Sequence, residues 1–240
     1  MTALIIHGHF YQPPRENPWT GEVEAEPSAA PYHDWNERIH AECYAPNASV
    51  NNYARISFNF GPTLLSWLEL HHPDTYQHII AADRESAAQR GGHGNAIAQA
   101  YGHAILPLCN ERDRLTQVIW GLADFRFRFG REPEALWLPE TAANDSTLAL
   151  LIEQGLRYVI LAPDQAKRVR VDSEWIDVCG GKVDTTRAYR FEHPTDPGRS
   201  IAVFFYDGPL ARAIAFEKAL TSSRGRVERF VHAAQRGDLV

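Results

Sequence analysis

Leu136-Trp137-Leu138-Pro139-Glu140-Thr141-Ala142 is a short apolar run that ends in a single carboxylate. Pro139 cannot donate to a strand ladder, so it breaks the run and sets Glu140 just beyond a sheet, where loops of α/β folds carry their chemistry. A second reading stays open at this point: Glu140 also precedes a helix starting near Ser146, and an acid near a helix N-terminus is ordinary electrostatics.

Working outward, the same pattern of strand, polar tip and helix recurs. Ala3 to Ile6 reads as a buried strand that exits into His7-Gly8-His9-Phe10-Tyr11-Gln12-Pro13-Pro14, with His7 and His9 on one side if the extended backbone continues. Ala54 to Phe60 alternates, with Ile56, Phe58 and Phe60 on one face. Gly61-Pro62 then opens a helix through Leu70, and a second helix follows Pro73-Asp74 to about Gln89. Glu111 to Phe129 is helical with Leu115, Ile119, Leu122 and Phe125 on its apolar face, and Gly130 is placed to end it. Ser146 to Gln154 is a helix closed by Gly155, Tyr158 to Leu161 a buried strand, and Ser200 to Tyr206 a core strand that ends at Asp207 before a helix from Leu210 to about Leu220.

Other stretches are less regular. Residues 12–31 form a long proline- and glutamate-rich connection, read as a rim over the site. Tyr32 to Tyr44 is a helix with Asp34 as N-cap and Pro46 beyond its end, and residues 95–108 fit strand and helix templates equally. Trp175 to Val178 and Tyr189 to Phe191 are strand candidates of an antiparallel excursion. Ser223 to Gln235 is helical, with Val227, Phe230, Val231 and Ala234 on one face, and Asp238-Leu239-Val240 resembles the opening of another strand, so a continuation of the same protein is expected.

Strands alternating with helices predict a mainly parallel sheet in one α/β domain over residues 1–240. Ligands of such folds bind at the carboxyl ends of the strands, where His7, His9, Glu140 and Asp207 stand. The formal net charge of −6 argues against nucleic acid, which requires a basic footprint. Cys43, Cys109 and Cys179 are widely spaced with no C-x-x-C pair, which indicates neither a disulfide framework nor a cysteine zinc site and fits a reducing, cytoplasmic setting. The sequence starts without a basic leader and has no apolar stretch of membrane-spanning length, so neither a signal peptide nor a membrane partner is expected. Six tryptophans and nine tyrosines suit either a sugar-stacking surface or a large core.

With these residues in view, the chain resembles glycoside hydrolase family 57, in a bacterial branch. The resemblance rests on His7-x-His9 with Gln12-Pro13, on Asn59, on Tyr101-Gly102-His103 through Leu108, and on Trp137-Leu138-Pro139-Glu140, in that order along residues 3 to 162. It implies an incomplete (β/α)7-type barrel, of which this chain is expected to be the N-terminal portion, and retaining cleavage or transfer of α-glucan chains with no metal and no cofactor. It further implies Glu140 as nucleophile, with His7, His9, Gln12, Asn59, His103 and Trp137 meeting an oligo- or polysaccharide. A retaining mechanism needs a second carboxyl group about 5–5.5 Å from the nucleophile. The family carries it on an aspartate in a late motif rich in acids and histidine; no residue after Asp207 sits in such a motif, so the acid is expected beyond Val240 and the chain is expected to be inactive alone, with Asp207, whose Gly208-Pro209 context departs from the motif, as the competing candidate. Two other readings stand beside this one. Paired histidines at a strand end also suit a metal-dependent hydrolase, and a carbohydrate-binding fragment without turnover would share the same residues.

Overall fold

Proline and glycine punctuation sets most element boundaries of this chain. The computed structural model describes residues 3–217, 221–235 and 237. It divides into two units: an N-terminal unit of Ile6–Gly102 with Trp120–Pro133, and a C-terminal unit of Met1–Ile5, His103–Ile119 and Glu134–Val240.

In the N-terminal unit, β1 (His7–Phe10) pairs in parallel with β2 (Ser57–Phe60), His7 opposite Ser57 and His9 opposite Asn59. The two-residue period of a strand sorts these eight residues onto two faces. Phe10, Phe58 and Phe60 enter an aromatic cluster with Tyr44 and Tyr53, in which Phe10 and Phe60 stack at 4.7 Å and Tyr53 meets Phe58 edge-on at 5.4 Å. Such pairs add about 0.5–1.5 kcal/mol beyond their area burial. His7, His9, Ser57 and Asn59 occupy the other face. Along the far side of β2, Phe58 N–H donates to Asn95 O and Ile97 N–H to Phe58 O, which brings in β3 (Ala98–Gln99).

Helices frame these strands. Asp34 caps α1 (Trp35–Ile39), accepting from Asn36 N–H at 2.8 Å and Glu37 N–H at 3.1 Å. The chain then continues through a π-helical turn, His40–Tyr44, into α2 (Ala45–Ser49). Pro46 therefore lies inside the helical run rather than beyond it: the π turn, in which Ala45 N–H reaches back to His40 O, accommodates the donor that proline lacks. Pro62 and Pro73 open α3 (Pro62–His71) and α4 (Pro73–Gln89) as the sequence predicts. From α4, Asp83 accepts from Ala96 N–H at 2.7 Å and pairs with both Arg131 nitrogens at 2.8 and 2.9 Å, while Arg131 also donates to Ala96 O. This pair, in which Asp83 is buried and Arg131 partly so, fixes the segment leading to Gln99.

Helix α5 (Glu111–Phe129) buries Val118, Leu122 and Phe125 and exposes Leu115 and Ile119, so its apolar stripe is rotated from the one expected. In the C-terminal unit, β4 (Leu136–Trp137) lies beside β5 (Tyr158–Leu161) through the parallel bridge Ala135–Tyr158, with α6 (Asp145–Glu153) between them in sequence. β6 (Arg168–Val171) and β7 (Glu174–Asp177) form a separate antiparallel hairpin. β8 (Tyr189–Glu192) pairs antiparallel with β9 (Ser200–Phe205), which is parallel to β5. The antiparallel excursion therefore consists of two different pairs. Asp207 caps α7 (Gly208–Phe216), and Ser222 caps α8 (Ser223–Ala234).

Three further expectations change. The first strand is His7–Phe10 rather than Ala3–Ile6; Leu4, Ile5 and Ile6 are 46%, 54% and 42% exposed, so the histidines lie within the ladder and not past its end. Asn52–Ala54 is a 3-10 turn, which delays β2 to Ser57. On α8 Ala233 is buried while Val227 and Val231 are more than half exposed. Residues 218–220 and the strand opening expected at Asp238-Leu239-Val240 lie outside the described residues. Among the described residues no helix is long and apolar enough to cross a membrane.

Candidate active site

The polar face of β1 and β2 is organised by Asn59, which is fully buried. Its carbonyl oxygen lies 3.0 Å from His7 Nε2, and its amide nitrogen lies 2.9 Å from His9 Nδ1 and 2.5 Å from Gln99 Oε1. An amide has one acceptor end and one donor end, so these contacts assign the protons. His7 donates from Nε2 to Asn59 and accepts at Nδ1 from Ser57 Oγ at 2.9 Å. His9 accepts at Nδ1 and carries its proton on Nε2. The Asn59 Oδ1 to His9 Nδ1 approach of 3.3 Å is then a close contact between two acceptors and not a bond.

His7 is half-buried, and burial lowers its pKa to about 4, partly opposed by the hydrogen bond to Asn59. It is therefore a neutral imidazole at ordinary pH. His9 is exposed. Gln99, 2% exposed, supports Asn59 from β3, and its Nε2 is buried with no hydrogen-bond partner among the described residues. Sequence reasoning missed Gln99 and Ser57. Ser57 could have been found from strand alternation, two residues before Asn59 on the same face; Gln99 lay in the stretch that fitted both templates.

Gln12 is placed in a different network of the same unit. Arg15 Nη2 donates to its Oε1 at 2.8 Å, Tyr44 hydrogen-bonds to its side chain, and Thr63 Oγ1 donates to its backbone oxygen. Arg15 also reaches Glu26 and Asn36, which ties down the long connection.

In the C-terminal unit the backbone around Glu140 is strained. Pro139 begins a single 3-10 turn in which Glu140 has φ 56° and ψ 17° and Thr141 has φ 51°. Two successive non-glycine residues in the left-handed region are uncommon, and a β-branched residue there is an outlier. Such strain costs on the order of 1–3 kcal/mol per residue and clusters at functional sites. Residues 135–139 and Thr141 are buried, while Glu140 is exposed. The turn is closed by Thr141 N–H donating to Leu138 O at 2.8 Å. His103 is a third left-handed residue, with φ 56°. Its pKa is lowered because burial outweighs the attraction of the Glu140 carboxylate. That attraction brings two of the expected residues into one electrostatic environment. Trp137 lies on β4, 9% exposed, and Asp207 Oδ1 accepts from Leu210 N–H at 2.9 Å at the start of α7.

Against known proteins, the family model described as Glycosyl hydrolase family 57 matches residues 4–237. Alpha-amylase 1 of Dictyoglomus thermophilum is 26% identical over 107 residues, 44% of this chain and 15% of that protein. Among solved structures, the 4-alpha-glucanotransferase of Thermococcus litoralis superposes with a TM-score of 0.62 at 18% identity, over 99% of this chain and 37% of its own. The GH57-type branching enzyme of Pyrococcus horikoshii gives 0.59 at 18% identity, over 87% and 48%. The chain thus spans less than half the length of these relatives. The likenesses show a (β/α)7 barrel-type fold, whereas the described strands form short sheets and no closed ring is seen among them.

Proposed function

Because the chain belongs to glycosyl hydrolase family 57, we propose that it carries the nucleophile and the sugar-binding histidines of a retaining enzyme acting on α-glucans, as hydrolase or glucanotransferase. The observation that supports this best is Glu140, an exposed carboxylate on a doubly left-handed turn that follows a fully buried strand. Catalytic groups are held in costly backbone conformations where position matters more than stability.

In the proposed reaction the Glu140 carboxylate attacks the anomeric carbon, and the glycosidic C–O bond breaks as a carboxylic acid protonates the leaving oxygen. Water or a sugar hydroxyl, deprotonated by that same group, then displaces the glycosyl unit from Glu140. Asp207 is the candidate for the acid in this chain. His7, His9, Asn59, His103 and Trp137, with Gln12, are proposed to contact the saccharide; His9, whose Nδ1 accepts from Asn59, carries the Nε2–H that can donate to a hydroxyl group, while both His7 nitrogens are engaged by Asn59 and Ser57.

The test is Glu140→Ala in a form competent for turnover of an activated α-glucoside. Activity should fall by several orders of magnitude, and added azide should restore part of it as a glycosyl azide of inverted configuration. Near wild-type turnover in the variant would remove the nucleophile assignment. The metal-dependent alternative is not favoured at His7 and His9: among the described residues, the group of side chains able to share an ion is formed by Glu37, His40 and His72.

A further inference from the structure

Glu37 and His40 are three residues apart where α1 runs into the π turn, which sets both side chains on one helical face. His72 is the single residue joining α3 to α4, with φ −137° and ψ 60°, and Pro73 behind it fixes the direction in which its ring leaves the backbone. These three residues, from two parts of the N-terminal unit, each offer one ligating atom, and the three atoms lie within 4.8 Å of one another. His72 Nε2 is 3.0 Å from a Glu37 carboxylate oxygen. The His40 and His72 rings stack with centroids 3.5 Å apart and planes 18° from parallel. Trp67 closes one side, 4.9 Å from the His72 ring and 6.2 Å from that of His40.

We propose that Glu37, His40 and His72 form a binding site for one divalent transition-metal ion of the zinc class. The donor set is two imidazoles and a carboxylate, a combination that holds zinc with a fourth position left for water or another ligand. All three residues are half-buried, so an ion can enter from solvent while the Trp67 wall lowers the dielectric on the opposite side. Tetrahedral ligation at about 2.0–2.2 Å separates donor atoms by roughly 3.3–3.5 Å. On binding, the 3.0 Å His72–Glu37 separation therefore widens slightly and wider separations contract, through rotation of the Glu37 carboxyl and splaying of the stacked rings. The ion replaces the His72–Glu37 hydrogen bond and cross-links the first helix to the α3–α4 junction.

A hydrogen bond between Glu37 and His72 that merely clips the two helices together, with His40 Nε2 bonded to Thr75 Oγ1 at 2.9 Å, would not need an anionic partner. Glu37→Gln separates the cases, since the amide oxygen still accepts from His72 while the anionic ligand is lost. The experiment uses the chelator-dialysed chain with Co2+ as spectroscopic probe and Zn2+ as competitor. The expected result is uptake of one equivalent of Co2+ with visible d–d bands of a low-coordinate site, displacement by Zn2+, and a melting temperature that rises with added Zn2+. Affinity should fall at least about tenfold in both Glu37→Gln and His72→Ala. It should hold in His78→Ala, which removes an exposed histidine of α4. Absence of Co2+ uptake by the wild-type chain would overturn the proposal, as would uptake that is undiminished in Glu37→Gln and His72→Ala, the signature of adventitious surface binding. Should His72→Ala lose its circular-dichroism signature, Glu37→Gln decides alone.

Discussion

Asn59 Nδ2–H donates to His9 Nδ1 at 2.9 Å, and this bond decides which nitrogen of His9 carries the proton. Asn59→Asp replaces the donor by an acceptor and places a buried negative charge beside both histidines. An opposite charge within 4–6 Å raises a histidine pKa by about 1–3 units. The pKa of His7 should therefore climb from about 4 toward or past its ordinary 6.5. Imidazole NMR titration of wild type and variant checks this. An unchanged His7 titration would show that Asn59 does not organise the pair.

The same depressed pKa makes a prediction about stability and pH. In the unfolded chain His7 titrates near 6.5, whereas in the folded protein it titrates near 4. Between these values the unfolded state binds more protons, so the contribution of His7 is fully present above pH 6.5 and is lost as pH falls toward 4. The loss is on the order of 1–3 kcal/mol, the lower part of that range suiting a half-exposed ring. Denaturant melts across this window should be steeper for wild type than for His7→Gln. Parallel profiles would assign the acid sensitivity to other groups.

Glu140 gives the next prediction through its backbone. For an exposed residue at φ 56°, replacement by glycine removes strain of about 1–2 kcal/mol, against the added chain entropy of glycine in the unfolded state. Glu140→Gly should therefore leave stability unchanged or raise it by up to about 1 kcal/mol. Glu228→Gly, an exposed site in the regular helix α8, should instead cost about 1 kcal/mol. Equal losses at the two sites would refute stored strain at Glu140.

Much of this architecture could be read from local chemistry. Asp34, Pro62, Pro73, Gly130 and Gly155 mark element ends because caps and fixed dihedrals act within a few residues. What depended on neighbours distant in sequence was not readable. Leu4 to Ile6 has the composition of a buried strand, yet the ladder is one strand-length later, where His7 and His9 find Ser57 and Asn59. Val118 displaced Ile119 from the buried stripe of α5, a difference of one residue in phase. Gln99 became visible only once Asp83 and Arg131 were seen to hold its segment against β2. Glu140 was legible as a strand tip, but the left-handed turn that presents it was not, because neither Glu140 nor Thr141 is a residue that favours that conformation.

Gly121 links α5 to the same network. In a helix interior, glycine to alanine ordinarily gains about 1 kcal/mol. Here a Cβ on Gly121 would clash with the backbone oxygen of Gln99, a contact that only movement of helix or strand can relieve. Gly121→Ala should destabilise by about 2–3 kcal/mol, the range of an overpacked core. Because Gln99 holds Asn59, the variant should also shift the His9 imidazole signals. A stability gain would mean that the helix does not approach the strand so closely.

Asp207 has a structural use that must be separated from its proposed catalytic one. Its Oδ1 accepts from Leu210 N–H at the start of α7, an N-cap whose loss to alanine costs about 1 kcal/mol. Asparagine caps a helix about as well as aspartate but cannot donate a carboxylic proton. Asp207→Asn should therefore melt within a few tenths of a kcal/mol of wild type, the spread of equivalent caps, while Asp207→Ala loses the cap. If Asp207 protonates the leaving oxygen, turnover of unactivated α-glucans falls by a factor of about 100 or more in both variants. Substrates with a good leaving group should be spared, since they need little proton assistance. The expected pattern is thus two inactive variants of which only one is destabilised. Full turnover in Asp207→Asn would leave Asp207 the helix cap alone and would require the partner of Glu140 to be another carboxyl group.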